Sequence, residues 1–153
     1  MATSFAAQQP AGTLARWYSS FGAVLERAQS IAALAMRLYV AKVFFVSGLL
    51  KFQRWDSTLA LFENEYHVPL LSPATAAFVG TGMELGLPVL LALGLGTRAA
   101  ALALFVFNII AVISYPDLSP AGMKDHVLWG TLLAIVAIYG PGRVSADRWL
   151  GVH

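Results

Sequence analysis

The sequence has no cysteine among its 153 residues. This excludes disulfide bonds, thiolate metal sites, iron–sulfur ligation and dithiol redox chemistry within the chain. Charged residues are also scarce, at 12% of the chain, compared with about 25% in an average soluble domain. The net charge of +2 is small and the basic residues are scattered, so we expect no nucleic-acid partner.

Apolar residues, in contrast, make up 58% of the chain and gather into long runs. A helix needs about 20 such residues to cross the hydrocarbon core of a lipid bilayer. We predict four spans, at residues 31–52, 73–95, 97–115 and 119–140. The fold class expected is therefore all-α, an integral membrane four-helix bundle in contact with the lipid bilayer.

Local signals mark where these helices start. The tetrapeptide Leu-Ser-Pro-Ala occurs at 71–74 and again at 118–121. Each copy supplies a serine suited to the N-cap and a proline suited to the first helical position. The turn Gly94-Leu95-Gly96 between the second and third spans is so short that it predicts an antiparallel hairpin.

The N-terminal part divides into two segments. Residues 1–12 are small and polar and are predicted to be a disordered tail. Residues 13–29 carry apolar side chains at helical spacing, which predicts an N-terminal amphipathic helix lying flat in the membrane interface. A helix docking on a partner protein is the alternative. Residues 31–148 form the predicted four-helix domain.

Orientation follows from the basic residues in the short connections. One side carries five arginines and two acids, whereas the other carries three basic residues and five acids. The positive-inside rule places the arginine-rich side, with both termini, in the cytoplasm. The five arginines are Arg16, Arg27, Arg98, Arg143 and Arg148.

Apart from the charges near the span ends, which are counted with the two membrane sides, three charges remain inside the predicted spans: Arg37, Lys42 and Glu84. Each costs about 2.5–3.5 kcal/mol near the bilayer centre unless it is paired or reaches the headgroups. Arg37 lies near enough to the inner headgroups to snorkel, but Glu84 lies midway along its span and needs a partner or a proton. We predict that Arg37 and Glu84 form a buried polar pair, either a structural ion pair or a proton-handling or ligand site. Lys42 points elsewhere, toward a partner subunit or the interface.

A second candidate site lies on the fourth span. His126 and Trp129 are three residues apart, which places imidazole and indole together near the outer interface. A histidine at this depth is suited to hydrogen-bond a quinone carbonyl and to exchange a proton, although a tryptophan there is also typical of the aromatic belt. We add Asn108 and Lys51 to this candidate quinone site, while noting that Asn108 is also explained by an interhelical hydrogen bond. Quinone is the only cofactor suggested; no covalent cofactor is expected.

A third, metal-binding candidate lies in the outer loops. His67, Glu63, Glu65 and Asp117 offer nitrogen and oxygen ligands of the type that divalent metals use. A solvated acidic loop explains the same residues without a metal.

The order and spacing of several residues resemble the DoxX family of small bacterial membrane proteins. These residues are Arg37, Phe44, Gly48 and Lys51 in the first span, Glu84, Gly86 and Leu93-Gly94 in the second, and the closing run from Gly140 to Asp147. The chain departs from the family's pattern at Lys42, where an apolar residue is expected, and at Ala146, where leucine is usual.

The resemblance implies a four-helix protein of the bacterial inner membrane. For some relatives it also implies a role as the small membrane subunit of a quinone-reducing thiosulfate oxidoreductase or of oxidative-stress assemblies. We therefore predict an accessory subunit of a quinone-linked redox system rather than a self-contained enzyme, acting with a partner oxidoreductase subunit or as a homo-oligomer. The alternatives are a membrane component of metal or oxidative-stress handling, and a small proton-coupled transporter with Glu84 as proton carrier.

Overall fold

The computed structural model describes residues 12–152 and contains six helices in this part of the chain. They are α1 (Thr13–Gln53), α2 (Trp55–Asn64), α3 (Pro73–Leu93), α4 (Thr97–Ser114), α5 (Pro120–Tyr139) and α6 (Ala146–Trp149).

Four of these helices, α1, α3, α4 and α5, are long and apolar enough to cross a membrane. They form a ring in which α1 and α4 each pack against both α3 and α5. Small and apolar side chains fill the centre of the ring; among the buried ones are Val40, Phe44, Leu91, Leu104, Leu133 and Val136. The prediction of an all-α membrane four-helix bundle is confirmed.

The predicted helix starts and the short turn are present. Ser72 and Ser119 are N-caps, and their hydroxyls accept hydrogen bonds from the N–H groups of Thr75 and Gly122. A proline follows each serine at the start of the helix, where its missing N–H has no cost. Gly94 and Gly96 have φ of 72° and 55°, a left-handed conformation that glycine adopts without strain, so α3 and α4 join in a tight hairpin.

The first helix is longer than the sequence suggested. α1 runs without a break for 41 residues, so the expected boundary between a helix at 13–29 and a span at 31–52 is absent. Its length of about 60 Å, at about 1.5 Å per residue, is twice the roughly 30 Å hydrocarbon core. No proline interrupts residues 13–53, and the helix continues beyond the bundle with Trp17 and Phe21 exposed. The tail predicted at 1–12 lies outside the described residues except for Gly12, the N-cap of α1.

A short helix also replaces part of the predicted outer loop. In α2, Phe62 is buried against Ala76 and Ala77 of α3. The hydroxyl of Thr58 donates a hydrogen bond of 3.0 Å to the carbonyl of Lys51. These contacts hold α2 across the end of the bundle that is predicted to face the outside, which is called the outer end below.

At the opposite end, the segment after α5 locks the α3–α4 turn through Asp147. The carboxylate of Asp147 accepts hydrogen bonds of 2.7 Å from Gly96 N–H and 2.8 Å from Thr97 N–H. Its own N–H donates to the carbonyl of Gly94 at 2.8 Å. Burial raises the pKa of Asp147, but the hydrogen bonds from Thr97 and Gly96 and the charge of Arg37 outweigh it, so the pKa lies below its usual value.

Arg37 belongs to this same end of the bundle. Its side chain is only 1% exposed, and its guanidinium donates a 2.7 Å hydrogen bond to the carbonyl of Val144. The closing segment, residues 140–147, therefore covers Arg37. The alternative explanation, in which Arg37 snorkels to the headgroups, does not apply, because its buried guanidinium donates to the Val144 carbonyl and lies near the charge of Asp147.

Candidate functional site

The site begins with a close contact between α1 and α3. A Cβ atom at Gly48 would lie 2.7 Å from Glu84 Cβ and 3.0 Å from the Glu84 carbonyl carbon. Only glycine fits at this distance, and its absence of a side chain brings the two helices together at the level of Glu84.

This close approach positions an ion pair. Lys51 Nζ is 2.6 Å from each carboxylate oxygen of Glu84, and the Ser47 hydroxyl donates to Glu84 Oε1 at 3.1 Å. The side chains of Lys51 and Glu84 are 17% and 6% exposed. The charge of the carboxylate is thus compensated inside the bundle, as its depth in the membrane requires.

The predicted pairing of Arg37 with Glu84 is therefore wrong. Arg37 and Lys51 lie on the same face of α1, but fourteen residues separate them, which is about 21 Å along the helix. Helical side chains lean toward the N-terminus, so Lys51 at the outer end of α1 reaches inward to Glu84. Lys42, by contrast, is exposed on the outside of the bundle.

The ion pair lines a cavity of about 670 Å³ in the outer half of the bundle. All four spanning helices contribute to its wall, and Phe62 of α2 and residues 66–71 of the following loop cover it. Its polar lining residues are Ser47, Lys51, Tyr66, Glu84, Ser114, His126 and Trp129. The remaining lining is mostly aliphatic and aromatic. Such an apolar cavity with a few converging polar groups is typical of a small-molecule site.

His126 is held in one orientation by Asn108. The Asn108 amide donates to the backbone carbonyl of His126 at 3.0 Å, which leaves Asn108 Oδ1 to accept from His126 Nδ1 at 2.8 Å. Because Nδ1 then carries the proton, Nε2 of the neutral ring is an acceptor. Asn108 thus orients the histidine from behind the cavity instead of lining it.

Trp129 lies next to His126 in the wall of the cavity. Its ring packs edge-on against His126, with centroids 5.0 Å apart, and against Phe44 at 5.9 Å. Its indole Nε1–H is buried without a hydrogen-bond partner among the described residues, and the same is true of the Ser114 hydroxyl. A buried unpaired donor costs about 1–3 kcal/mol, and both residues line the cavity.

Tyr66 contributes a further hydroxyl at the cover of the cavity. Its ring stacks between Phe62 and Tyr115 at centroid distances of 4.9 and 5.0 Å. Burial and then the negative charge of Glu84 raise the pKa of Tyr66, so its hydroxyl remains protonated at neutral pH and is able to donate.

The structure thus brings three of the predicted quinone-site residues, Lys51, His126 and Trp129, onto one cavity, with Asn108 supporting His126. Sequence reasoning missed Ser47, Tyr66 and Ser114. Ser47 was detectable, because it lies one helical turn before Lys51 on the same face. Tyr66 and Ser114 were not, since their positions depend on how the outer loop folds over the bundle.

The predicted metal-binding residues do not form a metal site. Within residues 12–152, no three His, Asp or Glu side chains come close enough together to hold an ion. The backbone N–H of His67 donates to the carbonyl of Ser114 at 2.8 Å, and Glu63 and Glu65 are exposed. His67, Glu63, Glu65 and Asp117 are therefore better described as residues of a solvated outer surface.

The family assignment rests on sequence comparison. The DoxX family model matches residues 32–116, more than half of the 153-residue chain. The chain belongs to the DoxX family. The match includes the Lys51–Glu84 pair and Asn108, but it ends before α5 and the closing segment. His126 and Trp129 therefore lie beyond the matched region.

A relative of similar length supports the assignment along most of the chain. Inner membrane protein YphA of Escherichia coli (strain K12) is 30% identical over 142 residues, covering 86% of this chain and 96% of the relative. No solved structure matches the chain. The DoxX-family assignment and the four spanning helices together make this an integral membrane protein.

Proposed function

We propose that this DoxX-family protein is an accessory subunit of a quinone-linked redox system in the bacterial inner membrane, and that its cavity binds the quinone headgroup. The observation that carries the proposal is the unpaired Trp129 Nε1–H on a cavity that also contains His126 and the Lys51–Glu84 pair. The name of the Escherichia coli relative supports the inner-membrane location.

The lining residues fit a quinone headgroup. A quinone ring is apolar and flat, and its two carbonyl oxygens accept hydrogen bonds. Trp129 Nε1–H and the Ser114 hydroxyl are unpaired donors on residues that line the cavity, and Phe44 and Phe107 supply part of its apolar wall. The volume of about 670 Å³ falls within the roughly 300–1,000 Å³ of small-molecule sites.

A bound quinone would supply two-electron, two-proton redox chemistry. The chain's own residues would hold the headgroup and handle protons. His126 Nε2 is able to take up or release a proton while Asn108 holds Nδ1. Lys51 Nζ and the Glu84 carboxylate form a second proton-exchanging pair on the same cavity.

An accessory role fits the sequence, because a chain without cysteine has no thiolate to bind an iron–sulfur cluster. A partner oxidoreductase subunit, or a further copy of this chain, would then complete the system. The Gly82 and Gly86 face of α3 is available for such packing, since added Cβ atoms there would meet nothing within 4 Å among the described residues.

The test is to measure the Kd of a short-chain quinone for the purified protein in detergent by isothermal titration calorimetry. Trp129→Phe keeps an aromatic ring but removes the indole N–H, and we expect about a tenfold weaker Kd, equivalent to about 1.4 kcal/mol. Trp149→Phe is the matched control, because Trp149 is 85% exposed and lies outside the cavity. Equal Kd values for both variants and wild type would overturn the proposed site.

The Lys51–Glu84 pair supports one second candidate, a small proton-coupled transporter. A carboxylate buried beside a cavity is able to carry a proton between two sides of a membrane. Proton flux into liposomes that Glu84→Gln abolishes, together with absence of quinone binding, would favour this function over the first.

A further inference from the structure

A second cavity lies at the opposite end of the bundle from the quinone candidate. It is a cleft of about 900 Å³ between α1, the end of α5 and the segment that follows α5. Three guanidinium-bearing side chains line it: Arg98, Arg143 and Arg148. None of these arginines takes part in the function proposed above.

The positive charge in this cleft is largely uncompensated. Lys51–Glu84 is the one salt bridge within residues 12–152, and among the arginine side chains there only Arg37 donates a hydrogen bond to the protein. Among the described residues that line the cleft, Glu26 is the single acid, and Asp147 is already bound to Gly96 and Thr97. Three cations facing one space repel each other, and a bound anion converts that repulsion into charge-assisted hydrogen bonds.

The fold positions the arginines at this cleft. A Cβ atom at Gly140 would lie 3.2 Å from Arg98 Nη2 and 3.3 Å from its Nε, so glycine allows the guanidinium to lie against the backbone of the turn. A Cβ at Gly142 would lie 3.0 Å from Ala33 Cβ, which shows how closely this turn sits against α1. The floor of the cleft is therefore a packed backbone turn.

The lining changes character along the helices. Arg98 lies at the start of α4, Arg143 in the connection after α5 and Arg148 in the short helix α6. The lining residues deeper along α1 and α5 are apolar, including Ala32, Met36, Ile135 and Val136. A free anion would use only the charged part. A molecule with an anionic head and a hydrocarbon chain uses both, and basic pockets between helices at a membrane surface recognise such lipids.

We propose that this cleft binds an anionic phospholipid, with its phosphodiester contacting Arg98, Arg143 and Arg148 and an acyl chain along α1 and α5. The site is independent of the quinone cavity, which lies at the other end of the bundle. The cleft also lies on the side that the positive-inside rule assigns to the cytoplasm.

In the experiment, the full chain in detergent is titrated with phosphatidylglycerol or with phosphatidylcholine. Native mass spectrometry measures how much of each lipid stays bound and with what affinity. We expect wild type to retain phosphatidylglycerol in preference to phosphatidylcholine. The double variant Arg98→Gln/Arg143→Gln should bind phosphatidylglycerol at least about tenfold more weakly, because it removes two of the three charges proposed to contact the phosphodiester. Arg148→Gln alone, at an exposed position, provides a single-charge variant of the cleft, and its affinity should also fall.

Arg27→Gln is the matched control, since it removes one charge from the same end of the protein but Arg27 does not line the cleft. Its affinity should remain within about twofold of wild type, because exposed charges outside a site act only through a screened field. Equal loss in Arg27→Gln and Arg148→Gln would show a general surface-charge effect and overturn the proposal. Competition by millimolar inorganic phosphate that fully displaces the lipid would assign the cleft to a free anion instead.

Discussion

Lys51 Nζ lies 2.6 Å from both carboxylate oxygens of Glu84, at the place where Gly48 lets α1 and α3 approach most closely. The ion pair, the glycine contact and the quinone candidate cavity therefore depend on one another. Several experimental consequences follow from the same few atoms.

The two halves of the ion pair should differ in their effect on stability. Lys51→Met leaves the Glu84 carboxylate buried with the Ser47 hydroxyl but without its cationic partner, with an expected loss of about 3 kcal/mol in the free energy of unfolding. Glu84→Gln should cost less, because Lys51 is 17% exposed and is able to turn toward the outer interface. Unfolding in mixed micelles measures both, and the double variant should be more stable than the sum of the single losses predicts. Additive losses would contradict a direct pair.

The helix contact should tolerate no extra methyl group. Gly48→Ala places a Cβ 2.7 Å from Glu84 Cβ, and we expect a loss of about 1–3 kcal/mol as the two helices separate. Gly82→Ala is the matched control on a neighbouring helix, because nothing lies within 4 Å of its Cβ. This control should be neutral or slightly stabilising, since alanine is the better helix former. Thermal unfolding in detergent compares them, and equal Tm values for the two variants would rule out the close contact.

The closing segment should contribute to the stability of the protein in a way that depends on pH. Asp147 has a lowered pKa in the folded protein, so its stabilisation is complete above the ordinary carboxyl pKa of about 3.9 and is lost as the pH falls through the lower folded value. Asp147→Asn should therefore lower the Tm at pH 7, and the difference from wild type should shrink as the pH falls from about 5 to about 3. A difference that stays constant over that range would mean that the charge of Asp147 is not what stabilises the turn.

The absence of cysteine makes the membrane orientation directly testable. Ser57→Cys on α2 and Val152→Cys near the C-terminus are both exposed positions at opposite ends of the bundle. With both termini in the cytoplasm, an impermeant maleimide should label Ser57→Cys in intact spheroplasts and Val152→Cys only after lysis. Labelling of Val152→Cys in intact spheroplasts and of Ser57→Cys only after lysis would show the opposite orientation. It would also place the arginine cleft on the outer surface.

The fold could be predicted from the sequence because membrane spans are recognisable from local sequence features. Apolar runs and the Ser-Pro starts at Ser72 and Ser119 depend only on neighbouring residues, and they identified the four helices. The boundary predicted at residue 30 is absent, because a change in composition does not end a helix and no proline interrupts residues 13–53. α2 was missed because ten residues with a modest apolar face resemble a loop.

The partner of Glu84 was harder to predict for a physical reason. Helical periodicity gives the face on which a residue lies but not its height relative to another helix. Arg37 and Lys51 share a face of α1, and only the register set by Gly48 selects Lys51. The grouping of His126, Trp129 and Lys51 was accessible because all three lie in the outer halves of their helices, whereas Tyr66 and Ser114 required the folded outer loop.

The most direct test of the quinone site is the amount of quinone that co-purifies with the chain from its native membrane after gentle detergent extraction, quantified by mass spectrometry. We predict about one quinone per chain in wild type and in Trp149→Phe, as expected for a single cavity of this size. Trp129→Phe should lose most of it. No quinone in wild type, or the same amount in Trp129→Phe, would contradict the assignment of this cavity to a quinone.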